Sequence, residues 1–228
     1  MNKSNKRFRI LIVDDHPLIR EGVAAMLGRQ SDMEVCGEAS DVSEAIAQIT
    51  QLQPDLVILD ISLKGGTGLD VIKQLRPAQR VKGSNNRVGT KILVHSAHDD
   101  SLYAERVLLA GAMGYINKQE APELLVAAAR RVLSGKVYVS PQVAERLLDR
   151  AICRRSQSGA DGVESLSDRE LQVFRLIGEA VTSRRIAEQL FISVHTVETH
   201  RENIKKKLGL KTGPELSQRA VQWVLENG

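Results

Sequence analysis

Asp55-Leu56-Val57-Ile58-Leu59-Asp60, continuing into Ile61-Ser62-Leu63-Lys64-Gly65-Gly66, is the stretch that decides the fold. Four consecutive apolar residues between acids are too short for a helix and lack the alternation of a half-buried strand. They fit a strand covered on both faces, as inside a parallel sheet. Asp60 ends that strand, and in open α/β sheets ligands sit beyond the carboxyl ends of the strands. The glycines at 65, 66 and 68 let the chain turn into a following helix. A carboxylate at such a place either caps the loop or carries chemistry, and the neighbouring segments decide between the two.

Upstream, Arg9-Ile10-Leu11-Ile12-Val13 is a second buried-strand pattern, ending in Asp14-Asp15. His16-Pro17 opens a helix, with proline suited to the first turn. A short strand near Glu34–Glu38 and a helix from Val42 lead to the Asp60 strand. Downstream come a helix over Thr67–Leu75, a strand at Lys91–Ser96 and a helix over Leu102–Ala110. A brief strand at Tyr115-Ile116, followed by Lys118, and a helix over Ala121–Leu133 complete the alternation. Five strand–helix units of this kind specify an α/β doubly wound, five-stranded parallel sheet. Residues 77–90 form an acid-free loop that joins a helix back to a strand, and so belong at the end of the sheet opposite Asp60.

An amphipathic helix over Pro141–Ile152 and a Ser-, Gly- and Arg-containing linker over Arg154–Glu164 precede a second unit too small for a sheet. There Ser167 and Glu170 form a capping box. A helix ending at Gly178, another over Ser183–Leu190, a turn at Phe191-Ile192-Ser193 and a long helix from Val194 to Leu208 follow. Gly209 stops the long helix, and a last helix spans Pro214–Leu225. Short helix, tight turn and long basic helix make a small all-α helix-turn-helix domain. The expected organisation is residues 1–135, a connector over 136–165, and the helix-turn-helix over 166–228.

Charge follows the same division. Residues 1–149 hold 19 basic against 18 acidic side chains, and residues 150–228 hold 13 against 10. The excess gathers at Arg201, Lys205, Lys206, Lys207 and Lys211, either as a solvated face or as a phosphate-contacting one. Aromatic residues make up 3%, too few for a surface that stacks single-stranded bases. No apolar run approaches the roughly eighteen residues of a membrane span, and the short basic start lacks a signal-peptide core. Two distant cysteines form no metal cluster, and the expected setting is a reducing cytoplasm without membrane contact.

With doubly wound strand order, Asp14, Asp15 and Asp60 converge at neighbouring strand ends. Three carboxylates together either raise one another's pKa or take a cation, and hard oxygen ligands suit Mg²⁺. Ser96 and Lys118 end the other two central strands. A carboxylate nucleophile, a magnesium ion and a positioned lysine make a site for accepting a phosphoryl group.

Val13-Asp14-Asp15-His16-Pro17, Leu59-Asp60, His95-Ser96-Ala97 and Gly111-Ala112-Met113-Gly114-Tyr115-Ile116-Asn117-Lys118 resemble a two-component receiver domain. Leu166-Ser167-Asp168-Arg169-Glu170, Ile186-Ala187, Thr196-Val197-Glu198-Thr199-His200-Arg201 and Lys207-Leu208-Gly209 resemble the LuxR-type helix-turn-helix. The pair in this order is similar to a NarL/FixJ-family response regulator. The resemblance implies that Asp60 takes a phosphoryl group from a histidine kinase. It implies Mg²⁺ held by Asp15, the Asp60 carboxylate and the Ser62 backbone carbonyl, with Asp14 acting through water. It assigns Lys118 and Ser96 to the phosphoryl oxygens and Tyr115 to an inward-turning switch. Lys64, Gln119 and the long loop at 77–90 depart from the common pattern without removing a site residue.

In the long helix, Val197, Ile204 and Leu208 should face inward, leaving His195, Glu198, Thr199, Glu202, Asn203 and Lys206 outward. His195, Thr196, Thr199 and Asn203 stand in the half that would enter the major groove of double-stranded DNA, and Arg201, Lys206 and Lys207 suit phosphates. Glu198 and Glu202 either accept from cytosine amines or hold neighbouring basic side chains. The apolar stripe of the last helix either packs on the core or serves a dimer. Paired operator half-sites would call for a phosphorylation-dependent homodimer. The rivals are a Mg²⁺-dependent phosphatase-like enzyme with an aspartate nucleophile, in which Ser62 stands where a second acid is usual, and a DNA-binding regulator independent of phosphorylation. The regulator that is not an enzyme is the expected reading.

Overall fold

The computed structural model describes residues 7–64, 66–75, 89–97, 101–153 and 162–227. The expected loop at 77–90 and linker at 154–164 fall largely outside the described residues. The chain divides into two compact units that part chiefly between Pro141 and Gln142, and each is described by itself.

In the first unit, β1 (Phe8–Val13), β2 (Met33–Ala39), β3 (Leu56–Leu59), β6 (Lys91–Ser96) and β7 (Gly114–Asn117) form one sheet in the order β2-β1-β3-β6-β7. All four pairings are parallel. Every residue of β3 is buried, which explains the unalternated apolar run. Successive strand residues point to opposite faces. Ile10, Ile12, Leu56, Ile58, Leu93 and Ile116 meet Val23 and Leu27 of α1 (Pro17–Gly28) and Leu125, Ala129 and Val132 of α5 (Pro122–Leu133). Leu11, Val13, Val57, Leu59 and Val94 are buried toward the other face. The remaining helices of this unit are α2 (Val42–Leu52), α3 (Gly68–Leu75) and α4 (Ser101–Ala110).

The chain leaves β1 toward β2 on one side, and β3 lies on the other. The crevice at this reversal is where an open sheet binds ligands. Backbone bonds fix the strand ends there: the Asp60 N–H donates to the Val13 carbonyl (2.8 Å), and the Asp14 N–H to the Ala39 carbonyl (3.1 Å). The segment after Asp60, expected to turn into the next helix through its glycines, contains a small antiparallel ladder of β4 (Ser62–Leu63) and β5 (Gly66–Thr67). Gly68 is required because a Cβ there would collide with the Asp60 carbonyl.

The second unit begins with α6 (Pro141–Cys153) and, after a 3₁₀ turn at Val163–Ser165, contains α7 (Asp168–Gly178), α8 (Ser183–Leu190), α9 (Val194–Lys207) and α10 (Gly213–Asn227). The Ser167–Glu170 capping box is present in both directions. Phe191 turns the chain between α8 and α9 in the left-handed region (φ 52°), and Ser193 caps α9. The α10 stripe of Leu216, Ala220 and Trp223 is buried, with Trp223 5.8 Å from Phe174 of α7 by ring centroids. That stripe therefore belongs to the core of the domain. Gly178 serves the same packing, since a Cβ would strike the Ala220 carbonyl. No helix among the described residues is long and apolar enough to cross a membrane.

Candidate functional site

Of the five residues expected at the sheet edge, Asp14, Asp15, Asp60 and Lys118 come together there, and Ser96 ends the neighbouring strand. Asp14 and Asp60 are each 3% exposed, and Ser96 is fully buried. The Lys118 N–H donates to the Ser96 carbonyl at 2.7 Å, which ties the end of β7 to the end of β6. The Lys118 ammonium then reaches Asp14 Oδ2 at 2.6 Å and Asp60 Oδ2 at 2.7 Å. Asp60 Oδ1 accepts from the Ser62 N–H at 3.3 Å. Asp14 Oδ1 accepts from the His16 N–H at 2.9 Å and lies 3.1 Å from His16 Nδ1. Tyr115, buried on β7, pairs in register with Val94, two steps before the Ser96–Asn117 pair.

Asp14 and Asp60 share one ammonium here, and burial acts on all three groups. Burial pushes the Asp60 carboxyl up to about 6 against the opposing pull of Lys118, with Asp14 adding to the rise. Burial alone would lower the Lys118 ammonium, but Asp60 and Asp14 outweigh it and raise its pKa. His95, buried beside the pocket, is pushed down to about 4 by burial and by Lys118, and is neutral near pH 7. Asp15 Oδ1 is buried and lies 2.8 Å from His16 Nδ1, outside hydrogen-bond geometry. One donor atom from each of Asp14, Asp15, His16 and Asp60 falls within a common 4.8 Å span. Hard oxygen donors and an excess of negative charge fit a divalent cation. His16 is the member that sequence reasoning left as a helix opener; its position directly after the two acids was the available signal.

The second candidate surface is α9. Val197 and Ile204 are buried, Leu208 is half-buried, and His195, Glu198, Thr199, Glu202 and Lys206 are exposed. Thr196 and Asn203 are intermediate, and Thr196 Oγ1 is 2.8 Å from Ser193 Oγ at the cap. The Thr199 hydroxyl donates to the His195 carbonyl at 3.0 Å, which turns its methyl and a lone pair outward. Glu198 lies 3.5 Å from Arg201, and Glu202 lies 2.9 Å from Lys205, so both acids hold basic neighbours. Lys207 is directed back onto its own domain, 2.7 Å from Glu170 Oε2 and 3.4 Å from the Ser165 carbonyl. Burial opposes ionisation of Glu170, but bonds from Lys207 and Ser167 outweigh it and leave its pKa below the ordinary value. Of the basic side chains expected at phosphates, Lys206 is exposed, whereas Arg201 and Lys207 each meet an acid of their own domain.

Residues 10–130 match the response regulator receiver domain family, and residues 164–220 match the bacterial regulatory proteins of the luxR family. The chain belongs to the NarL/FixJ-family response regulators. Such a regulator combines a receiver with a LuxR-type DNA-binding domain and acts on transcription in a two-component system. Among its relatives is the oxygen regulatory protein NreC of Staphylococcus carnosus (strain TM300), 37% identical over 218 residues, which cover 94% of this chain and 97% of that protein. NreC of Staphylococcus aureus (strain JH9) is 36% identical over the same coverage. A LuxR-family response regulator from Aurantimonas sp. SI85-9A1 has 31% identity and a TM-score of 0.58, covering 64% of this chain and 99% of that one. RcsB of Salmonella enterica serovar Typhimurium, solved on promoter P1flhDC with the phosphomimetic BeF3-, has 25% identity and a TM-score of 0.61, covering 95% and 100%.

Proposed function

We propose that Asp60 accepts a phosphoryl group from a histidine kinase in the cytoplasm and that this modification governs binding of α9 to double-stranded operator DNA. The observation that carries the reading is the Asp60 carboxylate at the crevice, held through one oxygen by Lys118 and through the other by the Ser62 N–H. A carboxylate oxygen attacks phosphorus, the bond from phosphorus to the kinase imidazole breaks, and that nitrogen regains a proton. Lys118 lies where charge on the transferred oxygens is offset. Its ammonium is raised in pKa and stays protonated throughout.

Mg²⁺ is the natural cation for this site, held by Asp15, Asp60 and the Ser62 carbonyl. Both Asp14 oxygens already have partners, Lys118 and His16, which suits contact through a water molecule. When bound, the ion neutralises charge on the phosphoryl oxygens. Ser96 closes on the new group, and Tyr115 beside it takes up the space released. We place the receiver at residues 1–135, the connector at 136–165 and the helix-turn-helix at 166–228. A single small domain reads few base pairs, so two copies on paired half-sites supply the specificity, and phosphorylation favours the homodimer.

The test is equilibrium binding to duplexes selected from fragments of the organism's own genome, with and without beryllofluoride and Mg²⁺. Sedimentation is measured in parallel. Tighter binding to two half-sites and a shift toward dimer are expected for wild type and absent for Asp60→Asn. Equal binding in all four conditions contradicts the proposal.

A further inference from the structure

The outward stripe of α9 runs through His195, Glu198, Thr199, Glu202 and Lys206, so its centre carries two acids one helical turn apart. Each acid holds a basic side chain three residues on: Glu198 Oε2 lies 3.5 Å from Arg201 Nε, and Glu202 Oε1 lies 2.9 Å from Lys205 Nζ. The acids stand outside their partners. Glu198 and Glu202 are 51% and 59% exposed, whereas Arg201 and Lys205 are 20% and 17% exposed. A surface that meets this stripe therefore touches carboxylates first. The bond from Lys205 also lowers the Glu202 pKa, which keeps that group a pure acceptor at neutral pH.

Phosphates repel a carboxylate, so these acids serve DNA binding only where the groove offers a donor. In the major groove the donors are the N4 amine of cytosine and the N6 amine of adenine. Beside the adenine amine stands the N7 acceptor, which repels the second carboxylate oxygen; cytosine presents its amine without an acceptor on the same base. We propose that Glu198 and Glu202 are specificity-determining residues that accept from the N4 amines of two cytosines in the operator. This rests on the proposed reading of α9 as the groove helix and names the bases it selects. Each carboxylate offers the oxygen that its basic neighbour does not use. Four residues advance a helix by about 6 Å, against about 3.4 Å per base pair. For a helix lying along the groove, the two cytosines stand with one base pair between them.

Binding-site selection from a randomised duplex library, with the full chain in beryllofluoride and Mg²⁺, compares wild type, Glu198→Gln and Glu202→Gln. Glutamine keeps the shape of the side chain and pairs with adenine through both its polar atoms. Both acids are exposed, so the variants fold as wild type does. Wild type is expected to select two cytosines one base pair apart. Each variant should exchange cytosine for adenine at one of them, with a change in preference of about tenfold, and leave the other as it was. Replacing either cytosine by 2-pyrimidinone, which lacks the amine, should weaken wild type about tenfold and leave the matching variant nearly unaffected. Variants that change affinity equally on all sequences, with base preference unaltered, would show that the acids only brace Arg201 and Lys205. That result overturns the proposal and leaves DNA reading by α9 standing. A wild-type chain that selects no sequence overturns both.

Discussion

Lys118 Nζ lies 2.7 Å from Asp60 Oδ2, so the proposed phosphoacceptor is held by its counter-charge before any phosphoryl group arrives. That pair is one half of a bridge whose other half is Asp14. Even with this partner, burial keeps the Asp60 pKa raised to about 6 from an ordinary 3.8. Between those values the folded state binds a proton that the unfolded state has released, so stability falls as pH rises through the window. Above about 6 the penalty is fully present.

Asp60→Asn should therefore be more stable than wild type in chelator, by on the order of 2 kcal/mol above about pH 7, and equal to it below about pH 4. Urea unfolding of both proteins across pH 4–8 measures the difference. A gap independent of pH would show that Asp60 ionisation carries no such cost.

Ser96 and Tyr115 are both buried on adjacent strands, two register steps apart, which offers a short route from the phosphoacceptor site to an aromatic ring. Ser96→Ala should still be phosphorylated, while the gain in DNA affinity on phosphorylation drops by about fivefold or more. A gain as large as that of wild type would move the coupling to other residues.

Lys206 and Lys207 are neighbours with different surroundings. Lys206→Ala should leave stability within about 0.5 kcal/mol and flatten the salt dependence of DNA binding by about one unit, as loss of a phosphate contact does. Lys207→Ala removes the counter-charge of the 5% exposed Glu170, which keeps its bond from the Ser167 N–H, and should cost about 1–2 kcal/mol, moderated because the lysine is 40% exposed. The Glu170 pKa is lowered, so this stabilisation is present above its ordinary 4.5 and is lost as pH falls through the lowered value. Thermal unfolding and salt titrations of both variants separate the roles; a reversed pattern refutes the assignment.

Thr199 donates its hydroxyl hydrogen to the His195 carbonyl, so in the proposed complex its methyl is the group left for a base, and a thymine methyl is its natural contact. Thr199→Val should keep site discrimination, and Thr199→Ala should lose about 1–2 kcal/mol of it. Competition binding with single-base variants of a selected site decides. Loss of discrimination in the valine variant would show that the hydroxyl is the reader.

The apolar run Leu56–Leu59 and the acids at 14, 15 and 60 were legible because burial on both faces and strand-end chemistry leave local signatures. The capping box and the Val197–Ile204 face of α9 were legible for the same reason. What escaped depends on partners distant in sequence. The attachment of Lys207 to Glu170 spans 37 residues, and the bridge from Lys118 to Asp14 joins the ends of two strands that are not neighbours in the sheet. The choice between core and dimer for the α10 stripe needed the position of Phe174. The ladder of β4 and β5 escaped because two-residue strands carry no periodicity. His16 was hidden by its proline neighbour, which accounts for the helix start without reference to the ring.

The central claim is that Asp60 is the residue that takes the phosphoryl group. Incubation of the full chain with acetyl phosphate and a divalent cation, followed by mass spectrometry of the intact protein and of its peptides, tests it directly. The account predicts a single added phosphoryl group on the peptide containing Asp60, absent in chelator and absent in Asp60→Asn. Equal phosphorylation of Asp60→Asn, or a modification located on Asp14 or Asp15, would contradict it.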